Sequence, residues 1–208
     1  MTRVLFAFFL LLCCSFAFSP LSQTLEMSST PKQVQYLVDN PTDEPMAVEI
    51  SLRERLQLAD GKEDNPPTKD LAAFPPQLII PPKEKRSIRV TYLGPKLTSE
   101  KAYRVVAEQL PLDVDGKKRK GSGIKMLLKY MAALYVNPGE TTAKLEVKVA
   151  EATPTALRVS VSNVGSAHAP LNKPTLVFTK GAKKVVLKAD QLKGLAGENV
   201  LNGVTRVF

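Results

Sequence analysis

A run of thirteen residues, Ile124 to Val136, constrains this chain more than any other stretch. Its sequence, Ile-Lys-Met-Leu-Leu-Lys-Tyr-Met-Ala-Ala-Leu-Tyr-Val, alternates with period two. That is the period of a strand, whose side chains point to opposite faces in turn. One face collects Ile124, Met126, Leu128, Tyr130, Ala132, Leu134 and Val136 without a polar break. The other mixes Lys125, Leu127, Lys129, Met131, Ala133 and Tyr135. At helical spacing the same residues would mix lysines with apolar side chains, and Gly121, Gly123 and Pro138 bracket the run. A strand is usually about five or six residues long, so this one is long. One reading is an ordinary core strand. The other is a strand only partly used by its own domain, whose leading half, Ile124 to Tyr130, offers apolar side chains and backbone groups to another polypeptide.

The remainder of the chain keeps the same period. Strands are predicted at Leu21–Met27, Val34–Asp39, Met46–Leu52, Leu78–Ile80, Ser87–Leu93 and Ala102–Leu110, with Ala59–Asp70 as a polar loop and Asp113–Gly123 as a basic one. About seven strands over about 120 residues, with no helical pattern, point to an antiparallel sandwich of immunoglobulin type. The turn Asn137-Pro138-Gly139-Glu140 marks a domain boundary. Beyond it, Lys144–Ala150 and Leu157–Ser162 alternate, Thr175–Thr179 and Lys184–Lys188 form a hairpin, and Val200–Phe208 begins a further strand. The fold class is therefore all-β, in two sandwich domains. The second spans about 70 residues against a typical 100 and is expected to be incomplete, with exposed sheet edges.

The N-terminus reads as an export signal over residues 1–17. Arg3 supplies the positive charge, Val4–Leu12 the apolar core and Ser15-Phe16-Ala17 the small-x-small cleavage site. The apolar run is shorter than the roughly 20 residues a membrane helix needs, so no stable membrane insertion is expected after cleavage. Both cysteines, Cys13 and Cys14, lie in this segment. The mature chain then has neither disulfide nor thiolate ligand, and its remaining 190 or so residues must fold on an apolar core alone. The formal charge of +9 falls to +8 without Arg3. Nucleic acid is not expected as a partner: the chain is exported and its lysines are scattered over strand faces. The dense run Lys117-Lys118-Arg119-Lys120 reads as a solvated hairpin tip.

Catalytic chemistry finds few residues to use. The one histidine, His168, sits in a loop of small residues, no motif frames a serine nucleophile, and no glycine-rich phosphate loop occurs. With no mature cysteine, a zinc site is not expected. The expectation is a non-enzyme with no metal and no cofactor.

The order of features resembles one family. A signal precedes an early strand and Val38-Asp39-Asn40-Pro41; Phe74-Pro75-Pro76, Ile80-Pro81-Pro82-Lys83 and Ser87-Ile88-Arg89-Val90 follow. Then come Tyr103-Arg104-Val105, Glu108-Gln109-Leu110-Pro111 and the alternating strand ending Leu134-Tyr135-Val136-Asn137-Pro138. Leu195-Ala196-Gly197 and Val200-Leu201-Asn202-Gly203 continue the likeness to nearly the whole mature chain. This is similar to the periplasmic chaperones of the chaperone–usher pilus pathway, the PapD-like family. The resemblance implies a boomerang of two immunoglobulin-like domains, residues 18–137 and 141–208. It implies a periplasmic chaperone that stabilises pilin subunits by lending its G1 strand, then delivers them to an outer-membrane usher. The donor residues implied are Ile124, Met126, Leu128 and Tyr130. Many family members hold the subunit's terminal carboxylate with an arginine on the first strand and a lysine on G1. Here those positions align with Thr24 and Ala133, so Arg86, Arg89, Arg104 and Lys129 are the substitute candidates. The alternative reading is a secreted immunoglobulin-like structural or adhesive protein in which the long strand is merely core.

Overall fold

The computed structural model describes residues 16–112, 126–153, 156–192 and 194–208. The described residues hold strands and one 3-10 turn, Ala189–Gln191. The N-terminal strands are β1 (Ala17–Ser19), β2 (Ser22–Glu26), β3 (Gln33–Asp39), β4 (Met46–Glu54), β5 (Leu56–Gln57) and β6 (Glu63–Asp64). They continue as β7 (Leu71–Phe74), β8 (Gln77–Ile80), β9 (Lys85–Tyr92), β10 (Lys101–Leu110) and β11 (Lys129–Asn137). The C-terminal strands are β12 (Leu145–Ala152), β13 (Leu157–Asn163), β14 (Ala169–Pro170), β15 (Leu176–Lys180), β16 (Lys183–Leu187), β17 (Asn199–Val200) and β18 (Thr205–Val207).

Two sheets make the first sandwich, ordered β1-β3-β9-β7 and β2-β11-β10-β4-β8. Their inner faces meet in one core. Tyr36, Val38, Ile88 and Val90 come from one sheet; Val48, Val105, Leu134 and Val136 come from the other. Alternation explains this: Ile88 and Val90 are buried while Arg89 between them is exposed. The first strand divides itself between the sheets. β1 runs antiparallel to β3, the chain crosses at Pro20, and β2 runs parallel to β11. In the C-terminal domain, β12-β13-β18 form one sheet, with the hairpin β15–β16 and the short pair β14–β17 beside it. Val159, Val161, Leu171, Leu192, Leu195 and Val200 are its core.

Each domain places a buried asparagine where a strand runs into a turn. Asn40, after β3, donates through Nδ2 to the carbonyls of Glu44, Ile80 and Pro81 at 2.9, 3.1 and 3.0 Å. Its Oδ1 accepts from the backbone N–H and hydroxyl of Thr42. Asn163, ending β13, donates to the carbonyls of Ala167 and Val200 and accepts from the backbone of Lys144 and Gly165. A short side chain thereby satisfies turn groups that burial would otherwise leave unpaired. Gly165 completes the second turn because a Cβ there would lie 2.3 Å from the Thr142 carbonyl oxygen.

Four sequence expectations change. The alternating run is a strand only from Lys129; Met126–Leu128 lie outside it, and Ile124 and Lys125 fall outside the described residues. The loop expected over Ala59–Asp70 carries β6, which pairs with β5. Two-residue strands carry no periodicity that a sequence can show. The hairpin strands are Leu176–Lys180 and Lys183–Leu187, so the expected turn Lys180-Gly181-Ala182 shortens to Gly181 and Ala182, and Lys180 joins the ladder. At the N-terminus a strand the pattern does not predict, β1, begins at Ala17 ahead of Leu21–Met27, and Phe16 and Phe18 are both buried. Cleavage after Ala17 would remove Phe16 from that packing.

Asn40→Ala should cost about 3 kcal/mol, because three carbonyls lose their donor in a buried turn. Asn40→Asp should cost more, since a carboxylate cannot donate and adds charge among acceptors. Urea unfolding checks this: both variants lower the midpoint at unchanged slope, and a loss below about 0.5 kcal/mol for Asn40→Ala would be the typical surface result and would contradict the role.

Candidate functional site

The site is built around β11, whose two halves have different neighbours. On one side β10 pairs with it from Glu108↔Lys129 to Lys101↔Val136. On the other side β2 covers Ala133–Asn137, from Ser22↔Ala133 to Glu26↔Asn137. The Leu21 carbonyl accepts from the Ala133 N–H at 2.9 Å, which is where that coverage starts. Among the described residues no strand pairs with the outer edge of Lys129–Ala132. That edge presents backbone donors and acceptors in the form another strand can use.

Side chains change character along the same line. Ala132, Leu134 and Val136 are buried in the sandwich core. Leu128 and Tyr130 pack against that core but are only partly buried. Met126 is 70% exposed, and Leu127 and Met131 are 46% and 41% exposed. Of the four donor residues inferred from the resemblance, Tyr130 is the most engaged with its own domain. Its hydroxyl donates to the Phe16 carbonyl at 2.7 Å, and its ring meets Phe16 edge-on at 4.8 Å. Leu128 is intermediate, Met126 is free, and Ile124 lies outside the described residues.

The opposite face of β11 has a use the sequence pattern did not disclose. Ala133 and Tyr135 are buried with Ala102 and Leu201, which joins the two domains. Tyr135 stacks on His168 at 3.7 Å with the rings 6° from parallel. Its hydroxyl oxygen accepts from Arg55 Nη1 and Asn199 Nδ2, both at 2.8 Å. The Glu100 carboxylate, almost fully buried, accepts from the His168 backbone N–H and lies 2.8 Å from its Nδ1. Gln57 bonds to the backbone of Asn199 and Leu201, and the Val207 N–H donates to the Ala59 carbonyl. Gly61, at φ +86°, lies against the Arg206 guanidinium, and a Cβ there would meet its Nη2 at 2.1 Å unless that side chain moved. His168, read from sequence as a loop residue, is thus a structural bridge between domains.

The four candidate carboxylate anchors divide by their partners. Arg104 is committed: its Nε and Nη2 donate to the two Glu63 oxygens at 2.9 and 2.7 Å, and Arg55 reaches the same carboxylate at 2.7 Å. Burial alone would raise the Glu63 pKa, but hydrogen bonds from Arg104 and Arg55 outweigh it and hold this carboxyl below its usual range. Arg86 pairs with Glu84 on the surface. Arg89 is exposed and its side chain has no partner among the described residues, but it stands on β9 in the other sheet. Lys129 stands on β11 itself, half exposed, 3.0 Å from Glu108. The two positions aligned with the family's cations are an exposed Thr24 and a buried Ala133, which pairs with Arg104 of β10.

The chain belongs to the family of pili and flagellar-assembly chaperones: residues 18–142 match its PapD N-terminal domain. It is a pilus-subunit chaperone by class, built of two immunoglobulin-like domains. Among solved structures it is similar to the class 5 fimbriae chaperone CfaA, at 18% identity and TM-score 0.66 over 92% of this chain and 84% of that one. It is also similar to the CsuC–CsuE chaperone–tip adhesion subunit pre-assembly complex of the archaic chaperone-usher Csu pili of Acinetobacter baumannii, at 18% and 0.65 over 93% and 86%. The Escherichia coli chaperone DraB matches at 16% and 0.59 over 93% and 84%. At these identities the likeness is one of fold. No curated protein matches the chain by sequence.

The Glu63 arrangement predicts acid sensitivity with a definite sign. A carboxyl whose folded pKa lies below its unfolded value adds stability above the unfolded pKa, about 4.3 for Glu. That stability is lost as pH falls through the folded value. Glu63→Gln should therefore remove part of the acid-side slope of unfolding free energy and cost about 1.5–3 kcal/mol near neutral pH. An unchanged slope and midpoint in the variant would contradict the assignment.

Proposed function

We propose that this protein, exported through a signal peptide of residues 1–17, captures pilus subunits in the periplasm and delivers them to an outer-membrane usher. Capture works by strand donation from its N-terminal domain, residues 18–137, with residues 141–208 forming the second domain. The carrying observation is the change along β11 at Ala133: among the described residues, both edges are paired beyond it and only one before it. Exposed apolar side chains lead into the open part, as a subunit lacking a strand would require. Ile124, Met126, Leu128 and Tyr130 are the donor residues in this reading. Met126 and Leu128 contribute most, because Tyr130 already packs beside Phe18 against its own core.

Lys129 is the best placed of the candidate anchors for a subunit carboxylate. It lies on the donated strand, and its surface pair with Glu108 is of a kind that costs under about 1 kcal/mol to give up. Arg104, by contrast, would have to abandon two bonds to Glu63.

Replacing both Met126 and Leu128 by Glu should abolish capture of a purified pilin subunit while leaving the domain folded. Burying each such side chain in a subunit is worth roughly 1.5–3 kcal/mol. Lys129→Ala should weaken capture by about 1.5–3 kcal/mol if it holds a carboxylate, and Arg89→Ala should leave it unchanged. Calorimetric titration with circular dichroism as the folding control reads all three variants. Normal affinity in the folded double variant would refute donation through this face.

A further inference from the structure

We propose that two copies of this chain associate through antiparallel pairing of their β12 strands, in register about Val147. β12 is an edge strand: among the described residues it pairs only with β13. All eight of its residues are exposed. Leu145, Val147 and Val149, alternating on one face, are 39%, 45% and 52% exposed. Leu145 and Val147 also border an apolar groove of about 290 Å³ completed by Val161, Leu171, Leu176 and Leu195. An open edge with apolar residues on one face is a template for another strand.

The charge pattern selects a second copy as the occupant. Between the three apolar residues stand Glu146 and Lys148, and neither has an ion-pair partner among the described residues. Leu-Glu-Val-Lys-Val reads as apolar, acid, apolar, base, apolar, so a two-fold axis at Val147 makes the segment complementary to itself. Glu146 then faces Lys148 of the other copy, twice over, and Leu145 faces Val149. Opposite charges across an antiparallel pair attract and like charges repel. Moving the axis to Glu146 or Lys148 sets like charges opposite each other. Slipping by one residue sets valine opposite a charge and mismatches the faces. The register break between Val149 and Glu151 confines pairing to Leu145–Val149, because a bulge interrupts the ladder there. Such an interface is small, so the dimer is concentration-dependent.

Sedimentation equilibrium of the full chain at low salt tests the pairing. The wild-type chain should dimerise reversibly. Glu146→Lys and Lys148→Glu should each raise the dissociation constant by roughly tenfold or more, since each turns two attractive pairs into repulsive ones. The double variant carrying both changes should recover dimerisation, because the exchanged charges again complement one another. These side chains are exposed, so circular dichroism, and melting at concentrations where the wild type is monomeric, should stay unchanged. A chain that is monomeric at every concentration overturns the proposal. So does a dimer indifferent to the single reversals, or a double variant no better than either. If the chain is monomeric and the reversals instead weaken capture of a purified pilin subunit, β12 receives a foreign strand and the proposal fails.

Discussion

The parallel pairing of β2 with β11 is the constraint on which the rest of the structure depends. It begins at Ala133 because the first strand is shared between two sheets: β1 serves one, the chain crosses at Pro20, and β2 serves the other. Had the whole segment stayed with β11, its edge would be covered further back. Among the described residues the split leaves Lys129–Ala132 with a single neighbouring strand, while Leu134 and Val136 are held on both edges and in the core. A strand so anchored is rigid where it belongs to its own domain and available where it does not.

The other face of the same strand sets the relation between the domains. Tyr135 is the pivot: it stacks on His168 and accepts hydrogen bonds from Arg55 on one side and Asn199 on the other. Arg55 also shares Glu63 with Arg104, so the interdomain contact and the charge cluster of the first sandwich are one network. A second polar cluster lies at another point of that sandwich, where Asp70 accepts from Lys101 and Tyr103 at 2.8 and 2.7 Å. Those bonds lower the Asp70 pKa despite opposing burial. Both clusters gain from carboxylates that are charged, so both favour the folded state above the carboxylate range.

Much of the fold was legible because strands announce themselves by alternation. Period two in Ser87–Leu93 puts Ile88 and Val90 on one face and Arg89 on the other, as the structure has them, and most predicted strand ends fall within two residues of those observed. What the pattern could not say is which neighbour a face meets. Ala133 and Tyr135 looked like the mixed outer face of a strand and are instead buried against Leu201, some 65 residues later in the chain. Arg104 looked like a free cation, because its partner Glu63 sits on a two-residue strand inside what reads as a polar loop. Pairings between distant segments carry no local signature, and this candidate site is made of them.

Hydrogen exchange along β11, with and without a bound pilin subunit, tests the strand-donation account most directly. Amides from Ala133 to Val136 should be protected in both states, since β2 and β10 already flank them. Outward-facing amides from Met126 to Ala132 should exchange quickly in the free chaperone and slow by orders of magnitude in the complex. Protection of that leading segment already in the free protein, or its continued rapid exchange in the complex, would contradict donation by this strand.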